Sequence, residues 1–151
     1  MWLYLGMLCK SVKWVKFNWT LVCIGIVFFF YSTAIHCQTD TTKILFVGNS
    51  FTYFYNLPQV VAAMGKTQDV LLYTRQSTVG GSNLEQHWKG EKGTKTRQMI
   101  DDYDWDYVVF NNHSLSAINT PKSFMEYGKK FVELVRKRGA EPVFMMTWAY
   151  K

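Results

Sequence analysis

The chain has 151 residues, of which 48% are hydrophobic and 17% aromatic, so it suits one globular domain once any targeting segment is set aside. The formal net charge is +6, but three of the 17 basic residues precede the apolar segment described next and none of the 11 acidic residues does. The remaining body is only mildly basic. Composition therefore gives no reason to expect a nucleic-acid partner.

The first 37 residues have the order of a secretory signal. Lys10, Lys13 and Lys16 precede an uncharged run over 19–35 that leads into small residues. Its apolar centre is shorter than the ~20 residues of a spanning helix. We therefore expect 1–37 to be a cleaved signal peptide, or else an N-terminal membrane anchor, and 38–151 to be an exported domain. All 3 cysteines lie at or before Cys37, so the domain should fold without a disulfide.

Short apolar runs alternate with helix-like segments from Lys43 onward. This alternation predicts an α/β domain with a mostly parallel sheet and helices on both faces. We predict strands over 43–48, 69–75, 106–110 and 141–147, the last with Met145 and Met146 as core residues. Helices are predicted from a cap at Asn56 to Gly65, from a Ser82 to Glu85 capping box through Trp88, over 94–102, and from Thr120 to Gly139.

One strand ends in a turn that carries a hydroxyl. The segment Ile44-Leu-Phe-Val-Gly-Asn-Ser-Phe51 places Ser50 at a strand's carboxyl end, where ligands bind in open α/β sheets. Gly-Asn-Ser on its own is also ordinary turn chemistry. However, the predicted loops 48–55, 76–81 and 111–116 all open on one sheet edge. Together they offer a candidate nucleophile in Ser50 and candidate oxyanion donors in Gly81 and the Asn111, Asn112, His113 cluster.

At these loops the sequence resembles the SGNH, or GDSL-like, hydrolases, in particular the exported bacterial branch with Gly-Asn-Ser in its first block. Residues 44–52, 78–88 and 106–114 resemble the first three blocks in order, and the resemblance covers nearly everything from Lys43 onward. It implies a flavodoxin-like, three-layer α/β/α fold and a serine esterase that deacylates a carbohydrate. It also implies a small-molecule or glycan ester as the partner, with no cofactor and no metal.

The resemblance assigns roles to individual residues. Ser50 would be the nucleophile, and its N–H and that of Gly81 would form two arms of the oxyanion hole. The third arm is open between Asn112 and His113, since the family register selects His113 and a shift of one residue selects Asn112. The remaining substrate-binding candidates stand beside these residues: Asn49, Phe51 and Gly80.

The sequence departs from the family at the catalytic base. Family members take Asp and His from an Asp-x-x-His block near the carboxyl terminus, and this chain contains no such block. We interpret His87 as a partly buried or surface histidine. We therefore expect the chain to be a fragment with an incomplete sheet, inactive as it stands because Ser50 has no base. The alternative is an inactive relative that binds glycans through the same cleft.

Two further patterns need an interpretation. The aromatic residues Phe51, Tyr53, Phe54 and Tyr55 fit a sugar-stacking wall or packing against the next helix equally well. The acidic residues between 101 and 106 lack the glycine and distal glutamate of a calcium loop, so we expect a solvated turn. A flavodoxin-like nucleotide binder is disfavoured, because the turn after Gly48 lacks the glycine spacing of a phosphate loop.

Overall fold

The computed structural model describes residues 40–146, and the predicted leader lies outside them. Within this part, four parallel strands form one sheet in the order β2-β1-β3-β4. The strands are β1 (Thr42–Gly48), β2 (Leu72–Thr78), β3 (Tyr107–Phe110) and β4 (Glu141–Phe144). The helices are α1 (Ser50–Tyr53), α2 (Leu57–Lys66), α3 (Leu84–Lys89), α4 (Thr96–Asp102), α5 (Ser116–Asn119) and α6 (Pro121–Lys137). The prediction of an α/β domain with a parallel sheet is confirmed.

The order of the strands determines where a ligand can enter. The chain runs from β1 outward to β2, and then returns past β1 to β3. Because crossovers between parallel strands are right-handed, α2 covers one face of the sheet, whereas α3, α4 and α6 cover the other. The loops that follow β1 and β3 therefore diverge to opposite faces. In open α/β sheets, ligands bind at this reversal point, at the carboxyl ends of the strands.

The core lies between the sheet and the longest helix. Helix α6 buries Tyr127, Phe131 and Val135 along one side. The Phe131 ring packs against Phe110 of β3 at a centroid distance of 4.9 Å and against Trp88 of α3 at 5.1 Å. Since each buried aromatic or aliphatic side chain stabilises the fold by about 1.5–3 kcal/mol, this contact holds α3 and β3 firmly together. In the stretch from 40 to 146, none of the helices has the length and apolarity needed to span a membrane.

The second strand and the helix before it differ from the prediction. Strand β2 begins at Leu72 and ends at Thr78, three residues later than expected, so residues 76–78 are strand and not loop. Asp69 has a left-handed φ of 57° and belongs to a turn. Helix α2 continues past Gly65 to Lys66. Asn56 occupies the N-cap position as predicted, but it has a left-handed φ of 52° and its side chain makes no capping hydrogen bond.

Other local predictions were displaced. The capping box lies one residue later than expected: Asn83 accepts from the Gln86 N–H at 2.9 Å, and Gln86 accepts from the Asn83 N–H at 3.2 Å. Segments 50–53 and 116–119, predicted as loop, are the short helices α1 and α5. Strand β4 ends at Phe144, so the prediction of Met145 and Met146 as core strand is wrong, and Met146 is 94% exposed.

Candidate active site

Three loops meet at the carboxyl end of β1. The Val79 N–H, just after β2, donates to the Gly48 carbonyl at 3.1 Å, and the Asn111 N–H, just after β3, donates to the Val47 carbonyl at 2.8 Å. A Cβ atom added at Gly48 would lie 2.5 Å from Thr52 Oγ1 and 2.9 Å from Asn111 Cβ. Only glycine therefore allows this close approach, and the structure brings the three loops together.

Ser50 is the first residue of α1, and it is half-buried. The preceding residue, Asn49, is buried and caps this helix: its Oδ1 accepts from the Phe51 N–H at 3.2 Å, and its Nδ2 donates to the Ser82 carbonyl at 3.0 Å. Among residues 40–146, no group hydrogen-bonds to the Ser50 hydroxyl. The backbone that carries Ser50 is thus fixed, while its oxygen is available.

Gly81 lies on the neighbouring turn, exposed, with a left-handed φ of 61°. Nothing lies within 4 Å of a Cβ added there, so the space beside Gly81 is open. In the described part of the chain, neither the Ser50 N–H nor the Gly81 N–H donates to a protein acceptor. Backbone donors without a protein partner bind water or a ligand. Both turns therefore present an unused N–H to the same edge of the sheet.

The Tyr53 side chain, on the first loop, reaches Gly80 on the second loop. A Cβ atom added at Gly80 would lie 3.1 Å from the Tyr53 hydroxyl oxygen, which is tighter than ordinary contact. The turn is held from behind by the Ser82 hydroxyl, which donates to the Val79 carbonyl at 2.7 Å. The Tyr53 hydroxyl therefore lies close against the Gly80 backbone, where a larger residue would press on it.

The two candidates for the third oxyanion arm are held differently. Asn112 is half-buried, and its Oδ1 accepts from the Leu84 N–H of α3 at 3.0 Å, so its amide NH₂ is left to donate. His113 is exposed, and its Nδ1 accepts from the Leu115 N–H at 3.4 Å, which assigns its proton to Nε2. The Asn112 amide is thus oriented by a neighbouring helix, whereas the His113 ring is braced only by its own loop.

Buried polar atoms belong to Asn111, one of the candidate oxyanion donors named from the sequence, and to Thr52, which the sequence gave no reason to single out. Both side chains are almost fully buried beside Gly48. Within the described residues, the side-chain oxygen and nitrogen of Asn111 and the hydroxyl oxygen of Thr52 have no hydrogen-bond partner. Such groups cost free energy when buried unless water or a ligand reaches them.

The interpretation of His87 as partly exposed is wrong, because the ring is 1% exposed. Its Nε2 lies 3.0 Å from the Gly48 carbonyl and 2.9 Å from Ser82 Oγ, and its Nδ1 lies 2.7 Å from Thr96 Oγ1. Burial lowers the pKa of His87 below its ordinary value, and the positive charge of Lys92 lowers it further, whereas the Gly48 carbonyl raises it. Both ring nitrogens are engaged away from the Ser50 hydroxyl.

Aromatic side chains continue from the Ser50 turn into solvent. Tyr53, Phe54 and Tyr55 are 36%, 58% and 90% exposed, and the first two rings stack at a centroid distance of 5.9 Å. Tyr55 and Asn56 both have left-handed φ values, 58° and 52°. Residues other than glycine adopt this conformation at a cost that the rest of the fold must offset.

The acidic run does not form a metal site in the described part of the chain, where no group of three potential metal-ligating side chains occurs. Asp101 pairs with Arg138 at 2.7 Å, and Asp106 accepts from the Lys43 N–H at 2.7 Å. These carboxylates lie at the amino ends of the strands, away from Ser50.

Comparison of the whole fold with solved structures gives consistent neighbours. A presumed SGNH hydrolase from Slackia heliotrinireducens matches with a TM-score of 0.62 and 24% identity over 74% of this chain. A DUF4886 family protein from Bacteroides uniformis matches with a TM-score of 0.58 and 24% identity over 74% of this chain. The psychrotrophic esterase EstA from Pseudoalteromonas matches with a TM-score of 0.57 and 11% identity over 71%. The domain has the SGNH-hydrolase fold.

The SGNH fold extends beyond this chain in the solved structures. The chain spans 59%, 51% and 60% of the length of those three proteins, respectively. No family model matches the sequence, and no curated protein does. The likeness is therefore one of fold, recognised in the sequence through the order of its three loop motifs.

Sequence reasoning missed the polar side chains behind the SGNH loops. Ser82 is fully buried and donates to backbone carbonyls of the first two loops, although the sequence suggested a helix cap. Thr96 is fully buried and meets His87, although nothing in its sequence neighbourhood suggests a polar contact. Of the residues in this region, only Asn83 could have been identified from the sequence, because its spacing to Gln86 is that of a capping box.

Proposed function

We propose that this domain is the nucleophile-bearing part of an exported serine esterase. The observation that carries the proposal is the half-buried Ser50 hydroxyl, which is unbonded among the described residues and stands beside the unused N–H groups of Ser50 and Gly81. An acyl-transfer site needs this combination, because the nucleophile must be reachable and the developing oxyanion must meet preorganised donors.

In this proposal, Ser50 Oγ attacks the ester carbonyl carbon and its proton passes to a base. The carbonyl oxygen becomes negative and accepts hydrogen bonds from the N–H groups of Ser50 and Gly81. We assign the third donor to the Asn112 amide, because its oxygen is already held by Leu84. The C–O bond to the alcohol then breaks, the alcohol leaves with a proton, and water releases the acid from Ser50.

The base belongs to a part of the protein outside residues 40–146. His87 has both ring nitrogens engaged at 2.7–3.0 Å with Thr96, Ser82 and Gly48, and it does not contact Ser50. His113 is exposed and uses Nδ1 within its own loop. The expectation that this chain is a fragment of the enzyme accordingly remains part of the proposal, as does export directed by residues 1–37.

A carbohydrate ester is the substrate class that we propose. Tyr53, Phe54 and Tyr55 follow Ser50 directly and expose their rings. Exposed aromatic faces offer large apolar surfaces on which a sugar ring can stack. Asn49, Phe51 and Gly80 would line the approach to Ser50, Gly80 because its lack of a side chain leaves room beside Tyr53.

The nucleophile is tested with a fluorophosphonate probe on the full-length protein. The parent should become covalently labelled, and Ser50→Ala should not, since the phosphorus bonds to the serine oxygen. The esterase EstA was solved inhibited by monoethylphosphonate, a reagent of the same chemical class. Ser114→Ala is the matched control, because Ser114 lies on the third loop but outside the proposed roles. Equal labelling of Ser50→Ala and the parent would exclude the esterase.

The sugar platform is tested by comparing two substrates. Tyr55→Ala should lower kcat/KM about tenfold for an acetylated oligosaccharide, which corresponds to roughly 1.4 kcal/mol of lost stacking, while p-nitrophenyl acetate should be unaffected. The control is Tyr107→Ala, which removes a 42% exposed tyrosine at the amino end of β3. A parallel loss on both substrates would argue against a carbohydrate platform.

A glycan-binding protein without catalysis is the second candidate. It is favoured by the absence of a base beside Ser50 among residues 40–146 and by the exposure of the same three aromatic rings. The two candidates separate on the fluorophosphonate result: oligosaccharide binding to a full-length parent that is never labelled supports the binding protein.

A further inference from the structure

A buried polar cluster lies directly behind the two turns of the proposed oxyanion hole. It consists of the side chains of Ser77, Ser82, His87 and Thr96, which are 7%, 0%, 1% and 0% exposed, together with the Gly48 carbonyl; we refer to it as the His87 cluster. Buried polar groups are tolerated when each finds a partner. In the His87 cluster, every side chain has one at 3.0 Å or less.

The partners determine where the protons lie. The Gly48 carbonyl can only accept, so the His87 nitrogen 3.0 Å from it, Nε2, carries a proton. His87 Nδ1 then accepts from the Thr96 hydroxyl at 2.7 Å, and Thr96 Oγ1 accepts from Ser77 at 2.7 Å. The Ser82 hydroxyl donates to the Val79 carbonyl. With these partners, the His87 ring carries its proton on Nε2 and is neutral. Burial favours the neutral form, because it lowers the pKa of His87.

The cluster joins the two turns that carry the proposed donors. Gly48 stands two residues before Ser50, and its carbonyl accepts from His87 Nε2 and from the Val79 N–H at 3.1 Å, and lies 3.0 Å from the Ser82 hydroxyl oxygen. Ser82 directly follows Gly81, and its carbonyl accepts from Asn49 Nδ2 at 3.0 Å. A single imidazole ring therefore touches both sides of the gap across which an oxyanion would be bound.

We propose that His87 is a positioning residue, which holds the Ser50 turn and the Gly81 turn at the separation that lets both N–H groups reach one oxygen atom. The inference rests on the proposed esterase function. His87 does not touch the substrate and is not the base. It acts through Gly48 and Ser82, and an error of about 1 Å in such a separation can cost 10²-fold in rate.

Two amide variants divide the functions of the ring. The His87→Gln side chain can reach the position of Nε2 and donate to the Gly48 carbonyl, whereas His87→Asn reaches only the position of Nδ1. We expect His87→Asn to lower kcat on p-nitrophenyl acetate about 10²-fold with KM nearly unchanged, and to slow fluorophosphonate labelling equally. His87→Gln should recover most of this loss.

Ile100→Val is the control for a loss of stability alone. Ile100 is 1% exposed in the same core but does not contact either turn, so its truncation should destabilise the fold while kcat remains that of the parent. The positioning role is wrong if His87→Asn keeps the parental kcat. It is also wrong if Ile100→Val, compared at matched stability, loses as much kcat as His87→Asn.

A measurement without catalysis separates this inference from the proposed function. In ¹⁵N-labelled full-length protein, the His87 ring should show a protonated, slowly exchanging Nε2 and an unprotonated Nδ1. A parent that is labelled at Ser50 but carries the proton on Nδ1 overturns the positioning role and leaves the esterase standing. A parent that is never labelled overturns the esterase and the positioning role with it, even where the ring shows the expected tautomer.

Discussion

Asn112 and His113 are neighbours in the sequence but differ in how firmly the structure holds them. The Asn112 oxygen accepts from the Leu84 N–H at 3.0 Å, so the direction of its NH₂ group is fixed by α3. We expect Asn112→Ala to lower kcat about 10²- to 10³-fold, the usual cost of removing one oxyanion donor, and His113→Ala to change it little. Steady-state kinetics of both variants would measure this, and the reverse ranking would assign the third arm to His113.

The sequence predicts Ser50 and Gly81 better than it predicts their support. Both residues stand in turns that follow strands, Ser50 two residues after the end of β1 and Gly81 three residues after the end of β2, so their positions depend on local sequence. The contacts of His87 are not local. Its partners Thr96 and Gly48 are 9 and 39 residues away, so no spacing rule identifies them. Burial, the property that distinguishes His87 from a surface histidine, depends on the packing of the whole domain.

At the scale of elements, two glycines should respond in opposite ways to the same substitution. A Cβ at Gly48 would lie 2.5 Å from Thr52 Oγ1, so Gly48→Ala should destabilise the domain by roughly 1–3 kcal/mol through overpacking. A Cβ at Gly128, within α6, would lie 3.7 Å from the Phe144 ring, which is ordinary contact. Gly128→Ala should stabilise α6 by about 0.5–1 kcal/mol, because alanine loses less backbone entropy in a helix.

Urea unfolding of the two variants measures both changes. The midpoints should move in opposite directions from that of the parent, with unchanged slopes. A stabilised Gly48→Ala would mean that the loops after β1 and β3 are not in close contact, and the crevice beside Ser50 would then be wider than the structure gives.

The displacement of β2 shows where element prediction from sequence reaches its limit. The run from Asp69 to Leu72 is apolar after its first residue and suggests a strand, but Val70 N–H donates to the Gly65 carbonyl, so the chain is still leaving α2. The true strand ends in Gln76, Ser77 and Thr78. Gln76 lies exposed on a strand at the edge of the described sheet, whereas buried Ser77 is accommodated by its hydrogen bond with Thr96, and neither environment can be read from the residues of β2 alone.

At the scale of the whole molecule, the alternation of strands and helices was sufficient to predict the parallel sheet and the edge on which the three loops open. Right-handed crossovers then determine which face each helix covers, but the strand order β2-β1-β3-β4, in which the chain crosses back over β1 between β2 and β3, comes from the structure. A base for the proposed esterase could not be predicted from residues 40–146. The solved neighbours are longer than this chain, which spans 59% of one and 51% of another.

The buried His87 should also make the stability of the domain depend on pH. Burial lowers its pKa in the folded state, while the unfolded ring titrates near the ordinary value of about 6.5. Above that pH the His87 ring is neutral in both the folded and the unfolded state, and its contribution to stability is complete. As the pH falls below about 6.5, the unfolded state takes up a proton that the folded state excludes, so stability is lost by at most about 1.4 kcal/mol per pH unit.

His87→Gln isolates this effect because glutamine does not titrate. The groups that meet the ring, Gly48, Ser82 and Thr96, do not titrate either. Glu85, whose pKa is lowered by its hydrogen bond to Lys89, contributes equally in both proteins. In urea unfolding from pH 7.5 to 5, the free energy of unfolding of the parent should therefore fall relative to that of His87→Gln. Parallel curves would mean that the folded protein admits a proton to His87, and hence that the ring is not sealed between the two turns.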